Sequence, residues 1–322
     1  MNSLKGALCA LAIVPGLALA NQNSATLTGV DGDVKIFTHP SKKAEGPAPR
    51  ALFEGEYYSV ESAKVGVPVE NGNIIRTAPG SKVKVVYENG DQFNVGPATA
   101  YRIFWDQKDE AKGKTEIAMM YGKIRGVVSK EGPRSRLFIK TKTATMGVRG
   151  TDFFIADDGG VGTEVSVLRG KVEVEKKATE GKKAEKVELA QGNSVEVSTE
   201  KDVKPVEVRK TTQEELTAIS KSTTTTTKTT EELKKEVGET EFKKLETLEK
   251  KAVEATLKDI KTYNPKLYAE LDTKKMANSN ELNQSVVTTL TKEAPAAPKK
   301  RKPYRAELED LGADAYKKYF KE

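Results

Sequence analysis

Apolar and polar residues alternate most regularly between residues 143 and 177, and this alternation predicts three β-strands. Residues 153–155 form a short apolar run between polar turns, and residues 164–168 and 171–175 place valines on one face. Gly170 separates the last two runs and can supply the positive φ of a two-residue hairpin turn. This block is the clearest part of a predicted β-domain.

The same signals extend the β-domain in both directions. Asp31-Gly32 and Asn89-Gly90 are hairpin turn sequences. Residues 38–68 are poorly patterned and rich in proline, so they predict a loop with one short strand. Further strands are predicted at residues 26–28, 34–37, 74–76, 82–87, 92–95, 100–105, 116–121, 123–129, 136–140 and 194–197, with 206–208 as an optional addition. Short strands with turns about every eight to twelve residues indicate an antiparallel-rich sandwich or roll.

From Lys210 onward the apolar period changes to three or four residues, which predicts helices. Capping boxes begin two of them at Thr212 and Thr229, and Asn264 before a proline caps another. The apolar stripes of the longer helices consist of Leu245, Leu248, Ala252, Leu257 and Ile260, and of Leu282, Val286 and Leu290. The predicted fold class is therefore mainly β, followed by an α-helical C-terminal region.

Three segments follow from these patterns. Residues 1–20 read as a cleavable secretory signal peptide, with a basic start, a short apolar core and a small-residue cleavage site. Residues 21–210 form the β-domain. Residues 211–322 form a helical arm interrupted by a Thr-rich linker at 223–227 and a Pro/Lys-rich linker at 294–303. The signal peptide predicts a periplasmic protein.

Composition narrows the function. With 37% hydrophobic and 31% charged residues, the 322-residue chain fits one core and a solvated remainder. The net charge of +7 comes from 54 basic and 47 acidic residues, so the surface is mixed in sign and no nucleic-acid partner is predicted. Cys9, in the signal peptide, is the only cysteine, so the mature chain has no disulfide or thiol chemistry. No later stretch is long and apolar enough for a transmembrane helix.

The sequence gives little support for a catalytic or metal-binding function. His39 is the only histidine, and metal sites built from histidine and cysteine are excluded by count. Residues 157–160 are either an ordinary Asp-Asp-Gly-Gly turn, which we favour, or an oxygen-only calcium site with spacing unlike a calcium loop. Asp152 is the first candidate for carboxylate-only hydrolysis, against a surface or ion-paired aspartate. No catalytic, cofactor or metal residue is predicted.

Candidate structural or partner-contact residues lie in two places. Arg149, Gly150 and Thr151 form a compact turn before the 153–155 strand. The Arg149 guanidinium either contacts an anion or partner carboxylate or, as we favour, is partly enclosed and bonded to backbone carbonyls or Asp152.

The second place is the end of the chain. Its apolar face consists of Leu308, Leu311, Ala315, Tyr316, Tyr319 and Phe320. Exposed aromatic residues add nothing to stability, so this face should be buried. The alternatives are the protein itself and a partner or envelope surface, and we favour the partner.

The segments ATMGVRGTDFFI and TEVSVLRGKVEVE, preceded by the glycine-punctuated block at residues 69–103, resemble the FecR domain of bacterial envelope proteins. The resemblance covers about residues 26–197 and implies a β-rich binding module without family catalytic residues. In the best-known members, an inner-membrane regulator passes a signal from an outer-membrane receptor to a sigma factor. That architecture has a transmembrane helix, whereas this chain has a predicted signal peptide, so we expect that role not to carry over.

Three functions remain. The first is a periplasmic, non-enzymatic FecR-like scaffold or interaction protein whose partner is an envelope protein or an anionic envelope polymer. The second is a component of an envelope signalling system that acts through partner proteins. The third is a carboxylate-based glycan hydrolase.

Overall fold

The computed structural model describes residues 24–46, 49–105, 115–132, 134, 137–177, 184–198, 206–271, 276–299, 304–308, 311–314 and 317. The predicted signal peptide and most of the basic run at 299–302 lie outside these ranges.

The strands in the described ranges are β1 (Ala25–Asp31), β2 (Val34–Ser41), β3 (Arg50–Phe53), β4 (Glu56–Ser62), β5 (Pro68–Val69), β6 (Ile74–Thr77), β7 (Lys82–Tyr87), β8 (Gln92–Val95), β9 (Thr99–Trp105), β10 (Thr115–Val127), β11 (Leu137–Lys140), β12 (Ala144–Val148), β13 (Asp152–Asp157), β14 (Gly162–Arg169), β15 (Lys171–Lys176), β16 (Glu185–Ala190), β17 (Asn193–Ser198) and β18 (Val208–Lys210). The helices are α1 (Gln213–Thr223), α2 (Thr230–Val237), α3 (Glu239–Tyr263), α4 (Pro265–Glu270) and α5 (Ser279–Glu293). The mainly β fold with a helical C-terminal region is confirmed.

The strands form two sheets that share β10. Sheet A has the order β5-β1-β7-β8-β10-β13-β14-β17-β18. Sheet B has the order β3-β4-β2-β6-β9-β10-β11-β12-β15-β16. The pairings are antiparallel except for the parallel β10–β11 pair. The architecture is thus a sandwich joined along one long strand.

Gly122 is the point at which β10 passes from one sheet to the other. Residues before it pair with β9 and β11, whereas residues 122–127 pair with β8 and β13. Its φ is +105°, and a Cβ atom there would lie 2.4 Å from the Thr99 Cα atom. The sequence predicts two strands separated by a turn at this glycine. The structure has one bent strand, because positive φ serves a bend as well as a turn.

The main core lies between the sheets and follows from the period-two pattern. Inward-facing residues such as Leu27, Val85, Phe93, Ile155 and Val165 are fully buried. Each such side chain stabilises the fold by about 1.5–3 kcal/mol. This inner layer is the part of the fold that alternation predicts best.

The prediction of a loop with one short strand at residues 38–68 is wrong. These residues contain the second half of β2 together with β3 and β4. β3 and β4 form a hairpin around Glu54 and Gly55, both at positive φ. Phe53 and Tyr58 from this hairpin pack with Phe37 in a second apolar cluster. The nearby prolines obscure an alternation that resumes at residue 50.

The helical arm, residues 211–322, covers the outer face of sheet A. α1, α5 and the described residues 304–308 and 311 pack on Phe154 and Leu168. α3 contacts Val86 through Leu248 and Ala252. α3, α4 and α5 share a separate apolar cluster. No helix in the described part of the chain is long and apolar enough to cross a membrane.

The Thr-rich segment 223–227 is an ordered connection rather than a solvated linker. Thr223 and Thr225 are buried. Thr226 donates from its backbone nitrogen to Asp31 Oδ2 at 2.8 Å, and Asn280 Nδ2 donates to Thr225 Oγ1 at 3.1 Å. Tertiary hydrogen bonds therefore fix a segment that composition alone marks as flexible.

Candidate interaction surface

Charged and amide side chains line the outer face of sheet A. Alternation places Val85 and Phe93 in the core and turns their neighbours Lys84 and Gln92 outward. Instead of meeting solvent, Lys84 and Gln92 are 2% and 0% exposed, because the arm covers them. The candidate surface is therefore a polar face in contact with the arm.

Lys84 joins β7 to the arm. Its Nζ atom lies 2.9 Å and 3.0 Å from the two carboxylate oxygens of Glu249 in α3. Glu249 Oε2 also accepts hydrogen bonds from the Ser279 backbone nitrogen at 3.1 Å and from Ser279 Oγ at 2.7 Å. Burial alone would raise the pKa of Glu249, but the Lys84 charge and the hydrogen bonds lower it overall. Glu249 is thus a carboxylate held between sheet and arm.

Arg125 forms the most completely buried ion pair of the face. Its Nε and Nη2 atoms donate to the two Asp152 oxygens at 2.9 Å and 2.7 Å, and Nη2 also donates to the Asn283 carbonyl of α5 at 3.3 Å. Both partners are almost inaccessible to solvent. Asp152, the sequence candidate for a catalytic carboxylate, is therefore neutralised by a bidentate partner, which is the ion-paired alternative.

Asp259 makes the third connection. Its Oδ2 atom accepts hydrogen bonds from Arg169 Nη1 at 3.3 Å and from the Lys130 backbone nitrogen at 3.0 Å. Arg169 ends β14, and Asp259 lies near the end of α3. α3 thus spans the sheet between two acid-to-cation contacts.

A charged cleft of about 670 Å³ lies where the edge of sheet A meets the arm. Arg209 donates to Glu164 Oε1 at 2.5 Å and to Glu215 Oε2 at 2.8 Å. Arg305 donates to Asp158 Oδ2 at 2.6 Å and to Glu196 Oε1 at 3.0 Å. The two arginines therefore bind together residues from β14, β17, α1 and the 304–308 segment.

Two carboxyl groups near this cleft have raised pKa values. Burial raises the pKa of Glu164 to about 7 against the opposing charge of Arg209. Burial likewise raises the pKa of Asp157 to about 6, against hydrogen bonds from Thr163 and Gly159. Glu164 can therefore change its protonation near neutral pH.

The Asp-Asp-Gly-Gly segment is a turn. Asp158 Oδ1 accepts backbone hydrogen bonds from Gly160, Val161 and Gly162 at 3.2, 2.8 and 2.9 Å. These bonds define the loop between β13 and β14. The described residues contain no group of three histidine, cysteine or acidic residues arranged to hold a metal ion.

Arg149 lies elsewhere, and its predicted enclosure is wrong. Its side chain is exposed, and Asp152 pairs with Arg125 instead. Arg149 remains a candidate partner contact.

Gly150 and Thr151 are enclosed by neighbouring residues of the β-domain. Gly150 has a φ of +62°, and a Cβ atom there would lie 2.2 Å from Lys130 Cβ. Thr151 is buried and donates from Oγ1 to the Lys171 carbonyl at 3.0 Å. Both residues hold the turn between sheet B and sheet A.

Near the end of the chain the described residues lie against the β-domain, whereas the preference for a partner at Tyr316, Tyr319 and Phe320 stays a prediction. Tyr304 and Leu311 are buried in the apolar cluster on sheet A. Gly312 lies against the Ala98 carbonyl and the Tyr121 ring. The described part of the terminal segment therefore docks on its own β-domain. Tyr316, Tyr319 and Phe320 lie outside the described residues.

The sequence missed Lys84, Arg125 and Arg169 as surface-forming residues. The outward positions of Lys84 and Arg125 in alternating strands and the turn position of Arg169 predict solvent exposure, and only the cover supplied by the arm changes that. The sequence does contain one signal: cations occupy outward positions of valine-rich strands, and a capped, amphipathic helical region follows downstream.

These features define a two-sheet β-domain closed by its own helical arm. Residues 73–173 match the family model described as FecR protein. The match lies within the range 26–197 over which the sequence motifs resemble that family.

No curated protein matches the chain. Two crystal structures of a proposed anti-sigma factor from Parabacteroides distasonis ATCC 8503 are similar to it at 21% identity, with TM-scores of 0.35 and 0.36. Each comparison covers 45% of this chain, and the chain spans 63% and 62% of the lengths of those two chains.

Proposed function

We propose that the chain is a non-enzymatic regulatory component of a bacterial envelope signalling system that acts in the periplasm by binding partner proteins. The FecR match at residues 73–173 carries this proposal, because the family is regulatory. A scaffold role is part of it, since the arm and the β-domain together present several charged surfaces. An anionic envelope polymer is the alternative partner.

The surroundings of Asp152 support a non-catalytic function. A general acid or nucleophile needs a carboxyl group that reaches substrate, whereas Asp152 is buried and bound by Arg125 through both oxygens. His39 is exposed and shares a hydrogen bond with Thr38 at 2.9 Å. Neither residue is placed against a second catalytic group.

The test is capture of partners from envelope extracts with residues 21–322 as bait. We expect one or a few proteins to be retained specifically and to be released by competing untagged chain. Retention of polysaccharide alone would favour the polymer alternative and contradict a protein partner. Turnover of peptidoglycan by the purified chain, lost in a folded Asp152→Asn variant, would contradict the non-enzymatic function.

A further inference from the structure

We propose that the outer face of sheet A is a docking surface for an amphipathic helix of a partner protein that presents two carboxylates on one face, and that α3 occupies this surface until the partner's helix displaces it. The inference rests on the proposed function and deepens it, because it names the surface and the kind of partner.

α3 shows which helix the surface accepts. The residues that contact the sheet include Glu249, Ala252, Thr256 and Asp259, spaced as on one face of a helix. The two acids bind Lys84 and Arg169, and Thr256 Oγ1 accepts a hydrogen bond from Gln92 at 3.2 Å. A fitting helix therefore presents two carboxylates about three turns apart with small residues between them.

On the face that α3 covers, the β-domain contributes the cations Lys84 and Arg169, and α3 contributes the carboxylates that bind them. On the more exposed side of α3 the signs are reversed, because Lys251 of the helix lies 3.4 Å from Glu88 of the β-domain. Charge complementarity at the buried part of the face thus favours a helix that presents carboxylates there.

α3 is held on the sheet mainly by polar contacts. Its apolar cluster with the sheet consists of Val86, Leu248 and Ala252. Interfaces between parts of a chain that separate are more polar than permanent cores. Within the arm, by contrast, Ile260 packs with Leu267 and Leu282. The helices therefore keep an apolar core of their own when α3 leaves the sheet.

The segment before α3 can accommodate the movement. α2 has no buried residues. Gly238 separates α2 from α3 at a φ of +80°, with no atom within 4 Å of a Cβ placed there. The junction has room to turn, and the apolar side chain of Leu233 in α2 is only half-buried.

The proposal predicts how weakening the contact between α3 and the sheet affects the binding of a separate peptide. The chain that carries Glu249→Gln and Asp259→Asn is called the weakened chain. The probe is a fluorescent peptide of residues 239–263, titrated into the full chain from residue 21 and followed by anisotropy. We expect the Glu249→Gln/Asp259→Asn chain to bind it at least about tenfold more tightly than the wild type does, because the internal competitor is weakened. The control is Glu246→Gln/Glu254→Gln, which removes two exposed acids of the same helix and should behave as wild type.

Two further measurements test the recognition chemistry. A peptide carrying Glu249→Gln and Asp259→Asn should bind the weakened chain at least about tenfold less tightly than the native peptide. Hydrogen exchange should show faster exchange of α3 amides in the weakened chain while the strands stay protected.

Three results would overturn the proposal. They are a folded, weakened chain that does not bind the peptide, equal binding of the native and the Glu249→Gln/Asp259→Asn peptides, and loss of cooperative unfolding in the weakened chain. The last would show that the two acids hold the fold itself.

The capture experiment separates this inference from the proposed function. If a protein is captured but Glu249→Gln/Asp259→Asn does not increase its retention, the proposed function is supported and the docking surface is ruled out. Peptide binding as expected, without any captured protein, supports the surface and removes the function.

Discussion

The outer faces of sheets A and B carry similar charged residues in different surroundings. Lys84 on sheet A and its partner Glu249 in α3 are 2% and 17% exposed, whereas Lys171 and Glu188 on sheet B are 67% and 63% exposed. A solvated pair contributes about 0–1 kcal/mol, but removing one partner of a buried pair leaves an uncompensated charge. The same residue types are therefore solvated on sheet B and stabilise the interface with the arm on sheet A.

The largest expected effect comes from breaking the buried pair Arg125–Asp152. Asp152→Ala leaves the Arg125 guanidinium buried without its carboxylate, so we expect the free energy of unfolding to fall by about 3–5 kcal/mol. Urea denaturation measures it. The control on sheet B is Glu188→Ala, which should cost less than about 1 kcal/mol. Equal losses in the two variants would contradict the contrast between the faces.

The turn that joins the two sheets gives the next effect. Gly150→Ala forces a side chain into positive φ and against Lys130, so we expect a loss of about 2–3 kcal/mol in chemical denaturation. Gly192→Ala is a matched control, because Gly192 has a φ of +74° but no atom within 4 Å of an added Cβ. A larger loss at Gly192 would show that φ alone, and not the close packing, governs the turn.

The burial of Glu164 in sheet A also makes the free energy of unfolding depend on pH. The pKa of Glu164 rises from the ordinary 4.5 to about 7, so the folded chain keeps this proton where the unfolded chain has lost it. The stability from this group is fully present below about pH 4.5 and is lost as the pH rises through about 7.

Glu164→Gln removes this contribution. Between about pH 4.5 and 7.5, the free energy of unfolding should fall by about 2 kcal/mol more in the wild type than in the variant. Denaturation at several pH values measures the difference, with Glu188→Gln on sheet B as control. Parallel wild-type and Glu164→Gln curves would rule out the raised pKa.

Arg149 should give the smallest effect. Its side chain is exposed, so Arg149→Ala should change the free energy of unfolding by less than about 0.5 kcal/mol. Thermal denaturation gives the stability, and capture of envelope proteins gives the binding. A loss above about 1 kcal/mol would restore the structural role that the sequence favoured.

The sequence predicted the elements better than the contacts between them. The hairpin at Asn89-Gly90 and the capping boxes at Thr212 and Thr229 are confirmed, because their signals are local. The hairpin predicted at Arg169-Gly170 is wrong, because β14 pairs with β13 and β17 in sheet A whereas β15 pairs with β12 and β16 in sheet B, so this turn carries the chain from one sheet to the other. The path of β10 through both sheets was not predictable, since Gly122 reads equally as a turn.

The interaction surface was even less accessible from sequence. The contact of Lys84 with Glu249 joins residues 165 positions apart, and alternation assigns Lys84 only an outward direction. The enclosure predicted for Arg149 failed for the same reason. A charged residue next to a buried strand can pair inward or face water, and the distant chain decides.

The polar outer face of sheet A has a further consequence for synthesis. Strands β1 to β18 are complete before α3, which supplies Glu249 and Asp259, has been translated. An apolar face would stand open to aggregation during that interval, but lysine, arginine and glutamine remain hydrated. The charges that bind the arm in the finished protein thus also keep the nascent β-domain soluble until the arm arrives.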